Sequence, residues 1–396
     1  MRKKMIQGPV RILMVFHSAS LTGPNKASLS LLKSVDKSKY KITVACPPKG
    51  YFVDYLNDIG VEHIPLEFSQ GGDIFTLIRL ISILRKNRYH VLHGHLGRTG
   101  PLICLAGKVC NVPVTILTEH MNDASHSWIE KDAIKLFFHK LWHTASNNLL
   151  DKVIAVSEDT RKNYIKRQGI NEKKVAVIYN SVYLGESIQP GRSKEMSSRE
   201  SIGFNRDDIV IGMVGRLVKG KGYDDVIAAS RAIVTYNPRV KFLVVGDGPE
   251  MGNLKALARH SGIEDRIKFL GFRADADDLI KIVDLLIQPS HNAPPESFGM
   301  VLIEAMASRV PVISSDIAPF KEIVENGING LLFKKGNPAD IAEKVISLLE
   351  NRNLTNDLVR RGYDTVKEKF SSQKIAKETC DVYKKTLLSK RYLSEA

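Results

Sequence analysis

The feature that most constrains the fold of this chain is an alternation of short apolar runs with helix-patterned stretches, which occurs twice along its 396 residues. Short runs rich in Val, Ile and Leu are typical of strands buried on both faces of a parallel sheet, with helices between them. In the first series, strands are predicted at Val10–Phe16, Lys41–Cys46, Val61–Leu66, His90–His95, Pro113–His120, Lys152–Ser157 and Lys174–Tyr179. Helices are predicted at Ala27–Val35, Ile74–Lys86, Pro101–Cys110, Asp132–Asn147 and Glu158–Arg167.

A polar, aperiodic stretch over residues 185–200 interrupts the alternation and contains Pro190 and Gly191, which is typical of a connection between domains. In the second series, strands are predicted at Ile209–Val214, Lys241–Gly246, Ile267–Gly271, Leu285–Pro289, Val310–Ser314 and Gly330–Phe333. Helices are predicted at Asp224–Tyr236, Glu250–His260, Met300–Ala307 and Ala339–Leu349. Residues 356–393 are helix-patterned, with a break expected at Phe370-Ser371-Ser372.

This pattern predicts an α/β protein with two doubly wound, Rossmann-like domains that face one another across a cleft. We expect a first domain at residues 1–184, a linker at 185–205, a second domain at 206–370 and a C-terminal helix at 371–396. In such sheets, ligands bind beyond the carboxyl ends of the strands.

The composition indicates which partners and which cellular compartment suit this chain. The 58 Lys and Arg against 43 Asp and Glu give a net charge of +15, which favours acidic partners such as phosphorylated substrates, anionic lipid or nucleic acid. No basic motif interleaved with aromatic residues argues for nucleic acid. The four scattered cysteines form no C-x-x-C, and the apolar run after the basic start is too short to span a membrane. We therefore expect a cytoplasmic protein in a reducing compartment.

Two glutamates, Glu296 and Glu304, stand eight residues apart around a Ser-Phe-Gly turn and an apolar helical run. Because Pro294 and Pro295 precede them, the helix is expected to begin near Ser297 or Phe298. A helix start is a ready anion site, and the carboxylates can accept hydrogen bonds from sugar hydroxyls. An ordinary amphipathic helix with an acidic first turn is the alternative interpretation.

A glycine-rich loop, Val214-Gly215-Arg216-Leu217-Val218-Lys219-Gly220-Lys221-Gly222, follows the first strand of the second domain. Arg216 and Lys221 place two cations at a strand's carboxyl end, where a diphosphate leaving group would need its charge neutralised. A basic surface turn is the alternative. The absence of a G-x-G-x-x-G fingerprint counts against a dinucleotide dehydrogenase.

In the first domain, Phe16 to Ala27 joins the first strand to its helix and contains Gly23, followed by Pro24, which has no N–H to offer a phosphate. His93, His95 and His120 lie at the ends of two strands. Two histidines at i, i+2 share a strand face and could hold a metal, but no carboxylate or cysteine accompanies them. We expect no metal site.

The motifs around residues 215–222 and 295–306 resemble the nucleotide-sugar signature of the retaining glycosyltransferases of family 4, also called group 1. The resemblance covers most of the second domain and only a little of the first. It implies the GT-B fold, in which the terminal helix packs back on the first domain. It also implies donor-phosphate roles for Arg216 and Lys221, a ribose role for Glu304, a donor-sugar role for Glu296, and a place for His120 beside the reacting centre. The remaining donor-binding positions that it implies are Gly23, Phe298, Gly299, Met300 and Val301.

The resemblance thus predicts a retaining, metal-independent transfer of sugar from a nucleoside-diphosphate sugar, most often a UDP-sugar, to a hydroxyl in polysaccharide or glycolipid synthesis. His120 and Glu296 are the expected catalytic residues, no cofactor is expected, and the acceptor would be a sugar or lipid-linked sugar. The basic charge adds an expected attachment to the anionic inner face of the cell membrane, and a charge that only keeps the protein soluble is the alternative. Two alternatives stay open: an epimerase or sugar-phosphate synthase on the same fold, and a non-catalytic, basic nucleic-acid-binding protein.

Overall fold

The computed structural model describes residues 5–68, 74–95, 100–120, 146–185, 199–293 and 295–394. The chain divides into two compact units. The first contains Met1–Tyr183 together with Ser372–Ala396, and the second contains Leu184–Ser371. Each unit is built around its own parallel sheet.

The described residues of the first unit form a sheet in the order β3-β2-β1-β4-β5-β6-β7, with every pair parallel. Its strands are β1 Val10–Val15, β2 Tyr40–Cys46, β3 Glu62–Pro65, β4 Val91–Gly94, β5 Val114–Glu119, β6 Lys152–Ala155 and β7 Val175–Val177. Its helices are α1 Gly23–Ser34, α2 Tyr51–Asp58, α3 Ile74–Asn87, α4 Gly100–Val109 and α5 Glu158–Gln168.

The described residues of the second unit form a parallel sheet in the order β10-β9-β8-β11-β12-β13. Its strands are β8 Ile209–Val214, β9 Val240–Val245, β10 Ile267–Phe269, β11 Leu285–Gln288, β12 Val312–Ser315 and β13 Leu331–Phe333. The helices that follow α5 are α6 Arg199–Ile202, α7 Tyr223–Tyr236, α8 Met251–His260, α9 Ala276–Lys281, α10 Met300–Ala307, α11 Ala318–Lys321, α12 Pro338–Glu350, α13 Arg352–Thr365 and, in the first unit, α14 Ser372–Ser389. The expected Rossmann-like α/β fold is thus confirmed in both units.

The core of the first unit lies on both faces of its sheet, as the alternation of side chains along β1 requires. Ile12 and Met14 belong to a cluster that includes Tyr383 of α14. Leu13 and Val15 belong to a separate cluster on the other face. These four of the six residues of β1 are fully buried, which explains why the strand reads as a continuous apolar run after Arg11.

Two helix starts differ from the sequence-based expectations. α1 begins at Gly23 rather than at Ala27. Thr22 is the N-cap residue without a side-chain capping bond, and Pro24, in the first turn, has a backbone φ suited to a helix. α10 begins at Met300, with Gly299 as the N-cap, so the expected start at Ser297 or Phe298 is wrong. Phe298 is buried against the ring of Phe370 at 5.7 Å and stays outside the helix.

Some predicted segments lie wholly or partly outside the described residues. The helix predicted at Asp132–Asn147 lies outside them except for its last two residues, and so do residues 186–198 of the predicted linker and Pro294. The break predicted near Phe370 is confirmed: α13 leads into a π-helical turn at Val366–Phe370, and Ser371 is extended. Among the helices that the structure describes, none has both the length and the apolar character needed to cross a bilayer.

Candidate active site

In the second unit, two loops meet at the carboxyl edge of the sheet. Residues 215–222 follow β8 and residues 289–299 follow β11, and β8 and β11 are neighbouring parallel strands. The amide of His291 donates to the carbonyl of Gly220 at 2.8 Å, which ties the two loops together. This edge is the position at which doubly wound sheets bind ligands.

The glycines of the first loop are required by its close approach to the second. Gly220 has a φ of +82°, and a Cβ placed there would lie 1.6 Å from the carbonyl oxygen of Ala293. Gly222 has a φ of +72°, and its Cβ would lie 1.9 Å from the carbonyl oxygen of Pro289. Any other residue at either position would therefore push the loops apart.

Lys221, between these glycines, forms an ion pair with Glu296 in the second loop. Its Nζ donates to Glu296 Oε1 at 2.5 Å, and both side chains are largely buried. The backbone amide of Glu296 donates to Oδ1 of Asn292 at 2.6 Å, so Glu296 is held through its main chain as well as through its carboxylate. An ammonium has three donors, and within the described part of the chain Lys221 uses one of them on Glu296, which leaves two for a bound anion.

The N-terminus of α10 follows directly. The amides of Leu302 and Ile303 both donate to the carbonyl of Gly299. The amides of Met300 and Val301, in the first helical turn, have no intrahelical carbonyl to reach, so they are the ones oriented toward an anion. Two of the residues predicted to bind the donor, Lys221 and Glu296, are thus in direct contact, and Met300 and Val301 begin the helix that follows Glu296 in the chain.

Glu304 and Arg216 differ in their surroundings. Glu304 lies on α10 and is buried, with 8% of its surface exposed. Arg216 lies in the glycine loop with an exposed side chain. A buried carboxylate needs fixed hydrogen-bond partners, whereas an exposed guanidinium can swing toward a phosphate.

Sequence reasoning missed three residues that support this site. Asn292, with a φ of +65°, holds the amide of Glu296 as described above. Tyr223 is buried beside Glu296, and burial together with the charge of Glu296 raises the pKa of its phenol. His291 is hydrogen-bonded through Nε2 to Asp225 at the start of α7. The signal that could have revealed Asn292 is its position in a turn, where asparagine tolerates a positive φ.

His291, Asp225 and Asp224 also form the group of side chains best able to bind a metal among the described residues, with potential donor atoms within 4.8 Å of one another. Asp224 is exposed, and His291 already bonds to Asp225. A metal ion would have to replace that hydrogen bond.

In the first unit, Gly23 is the first residue of α1. The loop before it is held by Asn25, whose Nδ2 donates to the carbonyls of Ser18 and Ser20 at 2.9 and 2.8 Å. The junction between strand and helix is therefore shorter than the predicted Phe16–Ala27, because it ends at Thr22.

His93, His95 and His120 cluster at the carboxyl ends of β4 and β5. His93 Nδ1 lies 2.6 Å from the hydroxyl of Tyr383, and its Nε2 lies 2.7 Å from Oγ1 of Thr118. His95 Nδ1 lies 3.2 Å from His120 Nε2. His93, which the sequence marked only as a possible metal ligand, therefore has both ring nitrogens engaged in hydrogen bonds.

These rings are held neutral. Burial lowers the pKa of His93 and of His120 to about 3, and it lowers the pKa of His95 well below its ordinary value. A lesser cause is the repulsion between the rings. Three neutral imidazoles can exchange hydrogen bonds with a polar ligand, but they cannot act as a cationic anion site.

Comparisons with known proteins cover most of the chain. The family described as "Glycosyl transferases group 1" matches residues 195–365, and the family described as "Glycosyltransferase Family 4" matches residues 22–186. The two matches fall in the second and the first unit respectively.

Relatives and solved structures agree with these matches. The chain is 26% identical over 379 residues to an Escherichia coli UDP-Gal:alpha-D-GlcNAc-diphosphoundecaprenol alpha-1,3-galactosyltransferase, covering 92% of this chain and 96% of that protein. It is 31% identical over 310 residues to an uncharacterised glycosyltransferase of Methanocaldococcus jannaschii, covering 76% and 77%. The crystal structure of Anabaena HepE in complex with UDP-glucose matches with a TM-score of 0.78 at 21% identity, covering 95% of this chain and 99% of that one. This last likeness shows that the fold is GT-B.

Proposed function

The chain belongs to the group 1 glycosyltransferases, and from this premise we propose that it transfers a hexose, with retention of configuration and without a metal, from a UDP-sugar to a hydroxyl of a lipid-linked sugar. The observation that carries the proposal is the Lys221–Glu296 ion pair in front of the first turn of α10. A cation and a carboxylate that can accept from sugar hydroxyls lie side by side, just before a helix start in the chain, and this combination suits a sugar diphosphate.

The choice of UDP and of a lipid-linked acceptor is supported by the relatives. The E. coli protein is named for UDP-galactose and for an acceptor on diphosphoundecaprenol, and the HepE crystals contained UDP-glucose. The same chemistry suits a chain of net charge +15, because both the donor and the carrier lipid are diphosphates.

In the proposed donor complex, the diphosphate lies against the amides of Met300 and Val301. Lys221 contributes its two remaining donors, and Arg216 comes from the exposed side of the loop. Negative charge grows on the leaving phosphate as the glycosidic bond breaks, so these cations act most strongly in the transition state. Glu296 accepts from sugar hydroxyls, and Glu304 accepts from the ribose hydroxyls.

Retention follows if the acceptor attacks from the face that the diphosphate leaves. The bond from the anomeric carbon to the phosphate oxygen breaks, and the bond to the acceptor oxygen forms on the same side. The acceptor proton passes to the departing phosphate oxygen, so no protein base is needed. His120, in the first unit, is proposed as a catalytic residue that acts in its neutral form, as a hydrogen-bonding partner.

An acceptor on a lipid carrier requires access to a membrane, and α3 has a surface suited to it. Its exposed face has an apolar N-terminal end, formed by Ile74, Phe75 and Ile78, of which Phe75 is 70% exposed. The same face continues through Arg79 to Arg85 and Lys86. Apolar side chains that insert between headgroups, beside basic ones that pair with phosphates, are typical of reversible peripheral attachment. We therefore place the enzyme on the anionic inner face of the cell membrane.

Neither alternative has an observation of its own to favour it. An epimerase or a sugar-phosphate synthase would use the same fold. Either enzyme would differ from the proposed glycosyltransferase in what accepts the sugar. Membership of a glycosyltransferase family argues against a non-catalytic nucleic-acid-binding protein.

The proposal is tested first by thermal unfolding against a panel of nucleoside diphosphates and their sugars. A ligand that binds only the folded state raises the unfolding temperature by mass action, so UDP and one UDP-hexose should stand out from the other bases. Incubation of that donor with a lipid-linked sugar should then release UDP and yield an axial linkage from an axial donor. Stabilisation by no nucleotide, or an inverted product, would refute the proposal.

A further inference from the structure

One residue of the loop after β11, His291, contacts the chain on both sides of Lys221. The amide of His291 donates to the carbonyl of Gly220 at 2.8 Å, just before the lysine. Its ring Nε2 is hydrogen-bonded to Oδ2 of Asp225, in the helical turn that follows the lysine. The segment that carries Lys221 is therefore tied to the neighbouring loop at both of its ends.

The side-chain contact is well placed to fix this segment. Asp225 lies in the first turn of α7, and its amide donates to the carbonyl of Gly222 at 3.1 Å. The side chain of Asp225 is 13% exposed and that of His291 is 30% exposed. A largely buried carboxylate needs a hydrogen-bond partner, so the bond to His291 holds both side chains in one position.

The glycines on either side of Lys221 make contacts from outside the loop necessary. Gly220 and Gly222 both have a positive φ, and neither has a side chain that could pack. Because glycine loses more conformational freedom on folding than other residues, this segment resists displacement poorly by itself. The backbone position of Lys221 therefore depends on what holds the segment from the neighbouring loop.

His291 is itself anchored to the sheet. The carbonyl of Ser290 accepts from Oγ of Ser315, the last residue of β12, at 2.6 Å, and both serines are fully buried. The residue after His291 is Asn292, which holds the amide of Glu296. Two adjacent residues thus support the two members of the Lys221–Glu296 ion pair, one member each.

We propose that His291 is a positioning residue, which fixes the backbone of Lys221 through Gly220 and Asp225 and so keeps its ammonium in place for the diphosphate. This inference rests on the proposed function, because that function assigns Lys221 to the leaving phosphate. Charge on this phosphate grows toward the transition state, so a displaced ammonium lowers turnover more than it lowers donor binding.

The first experiment compares two replacements of His291. His291→Phe keeps a ring and removes the bond to Asp225, so kcat should fall about tenfold while the KM for the donor changes by less than about threefold. His291→Gln can still donate from an amide nitrogen near the position of Nε2 and should recover most of the lost turnover. Equal kcat values in the two variants would overturn the inference.

A second pair of variants breaks the same bond from α7. Asp225→Leu should lower kcat as much as His291→Phe does, whereas Asp225→Asn keeps an oxygen that accepts from Nε2 and should stay close to wild type. This pair carries the test should His291→Phe not fold. A wild-type kcat in Asp225→Leu would refute the role of His291.

The third experiment asks whether the effect passes through Lys221. In Lys221→Ala there is no ammonium to hold, so adding His291→Phe should lower kcat by less than about a further twofold. A merely structural role would give the same fall in both backgrounds. That result would show that His291 acts on another part of the site.

Arg199 offers a matched control at the opposite edge of the same sheet. It pairs with Asp284 at 2.8 Å, and Asp284 accepts from the amide of Val210 near the amino end of β8. Arg199→Leu should therefore lower the stability of the second unit and leave kcat and the KM for the donor unchanged. A fall in kcat as large as that of His291→Phe would show that any loss of stability in this unit slows turnover, which would overturn the inference.

Amide hydrogen exchange of the free protein separates failure of this inference from failure of the proposed function. The amide of Lys221 donates to the carbonyl of Val218 at 3.2 Å and should exchange faster in His291→Phe than in wild type. If it does and wild type turns over no UDP-sugar, the tether is as described and the proposed function is wrong. If wild type and His291→Phe turn over a UDP-sugar equally well, the proposed function stands and the role of His291 is wrong.

Discussion

Lys221 Nζ lies 2.5 Å from Glu296 Oε1, although 75 residues separate the two along the chain. Sequence reasoning assigned the lysine to the diphosphate and the glutamate to the sugar, as two separate contacts. The structure shows the two side chains as an ion pair, in which each side chain fixes the position of the other. Removing either one should therefore disturb both halves of the donor site.

The first prediction concerns this coupling. Glu296→Ala should lower kcat as well as donor affinity, and Lys221→Ala should lower kcat/KM by about ten- to a hundredfold, because each change leaves a largely buried charge without its partner. The double variant should lose much less than the sum of the two single losses. Steady-state kinetics with varied donor concentration gives kcat/KM for wild type, the two single variants and the double variant.

A matched control is available on the same loop. Lys219 is exposed, and replacing it removes the same charge without touching the ion pair. Lys219→Ala should change kcat/KM less than threefold, as expected for a surface charge. Additive effects of Lys221→Ala and Glu296→Ala would show that the ion pair has no part in donor binding.

The second prediction separates binding from turnover at Glu304. Contacts to the ribose are alike in the ground and transition states, so Glu304→Ala should weaken UDP binding while kcat at saturating donor stays within a few-fold of wild type. Glu304→Gln keeps a hydrogen-bond acceptor in the same buried position and should bind UDP more tightly than the alanine variant. Calorimetric titration with UDP measures both, and wild-type affinity in Glu304→Ala would remove the residue from the site.

Most of the fold could be predicted because buried parallel strands have a strong sequence signal. Continuous apolar runs such as that of β8, Ile209–Val214, were placed at their observed bounds. α2, Tyr51–Asp58, was not predicted, because its eight residues show only two helical turns of periodicity between turn-forming neighbours. The start of α10 was placed too early, because tertiary packing of Phe298 against Phe370 overrides local helix propensity.

The site was only partly predictable, because its contacts join residues that are far apart in the sequence. Glycines, cations and carboxylates that follow strands can be read from a sequence, and Lys221 and Glu296 were found in that way. Which of them touch, and what holds them, depends on loops that approach across neighbouring strands. The support of Glu296 by Asn292 and the pairing of His95 with His120 each join residues that no local pattern connects.

The third prediction concerns metal. Cations of the chain and the start of α10 can neutralise the diphosphate, so turnover should survive saturating EDTA. Should EDTA abolish turnover and manganese or magnesium restore it, Asp224, Asp225 and His291 are the residues to replace next. If the Asp224→Asn variant still required a metal, the ion would be bound together with the donor and not by these three side chains.

The fourth prediction concerns acid stability. Burial lowers the folded pKa of His93 to about 3 and that of His95 well below the ordinary 6.5, so below pH 6.5 the unfolded chain binds protons that the folded chain does not. Stability should be full above pH 6.5 and fall as the pH decreases, by up to about 1.4 kcal/mol per pH unit for each buried histidine. Denaturant unfolding at pH values below 6.5 measures the slope, which should be shallower in His95→Phe than in wild type.

The last prediction tests the membrane surface on α3. The variant with Arg85, Lys86 and Arg88 replaced by Gln should co-sediment less with anionic vesicles at low salt than wild type, since each basic residue near the surface contributes about 1 kcal/mol. Wild-type binding should fall as salt rises, because the attraction is screened. Phe75→Ser should weaken binding at high salt, where only the apolar contact persists.

The control for this prediction removes equal charge from the other unit. Arg361, Lys367 and Lys369 are exposed, and replacing all three by Gln lowers the net charge by the same amount without altering α3. If that variant and the α3 variant lose equal binding, the attraction comes from total charge and α3 is not the docking surface. If neither variant nor wild type sediments with the vesicles, the net charge of +15 has no membrane role, and the acceptor must reach the enzyme in another way.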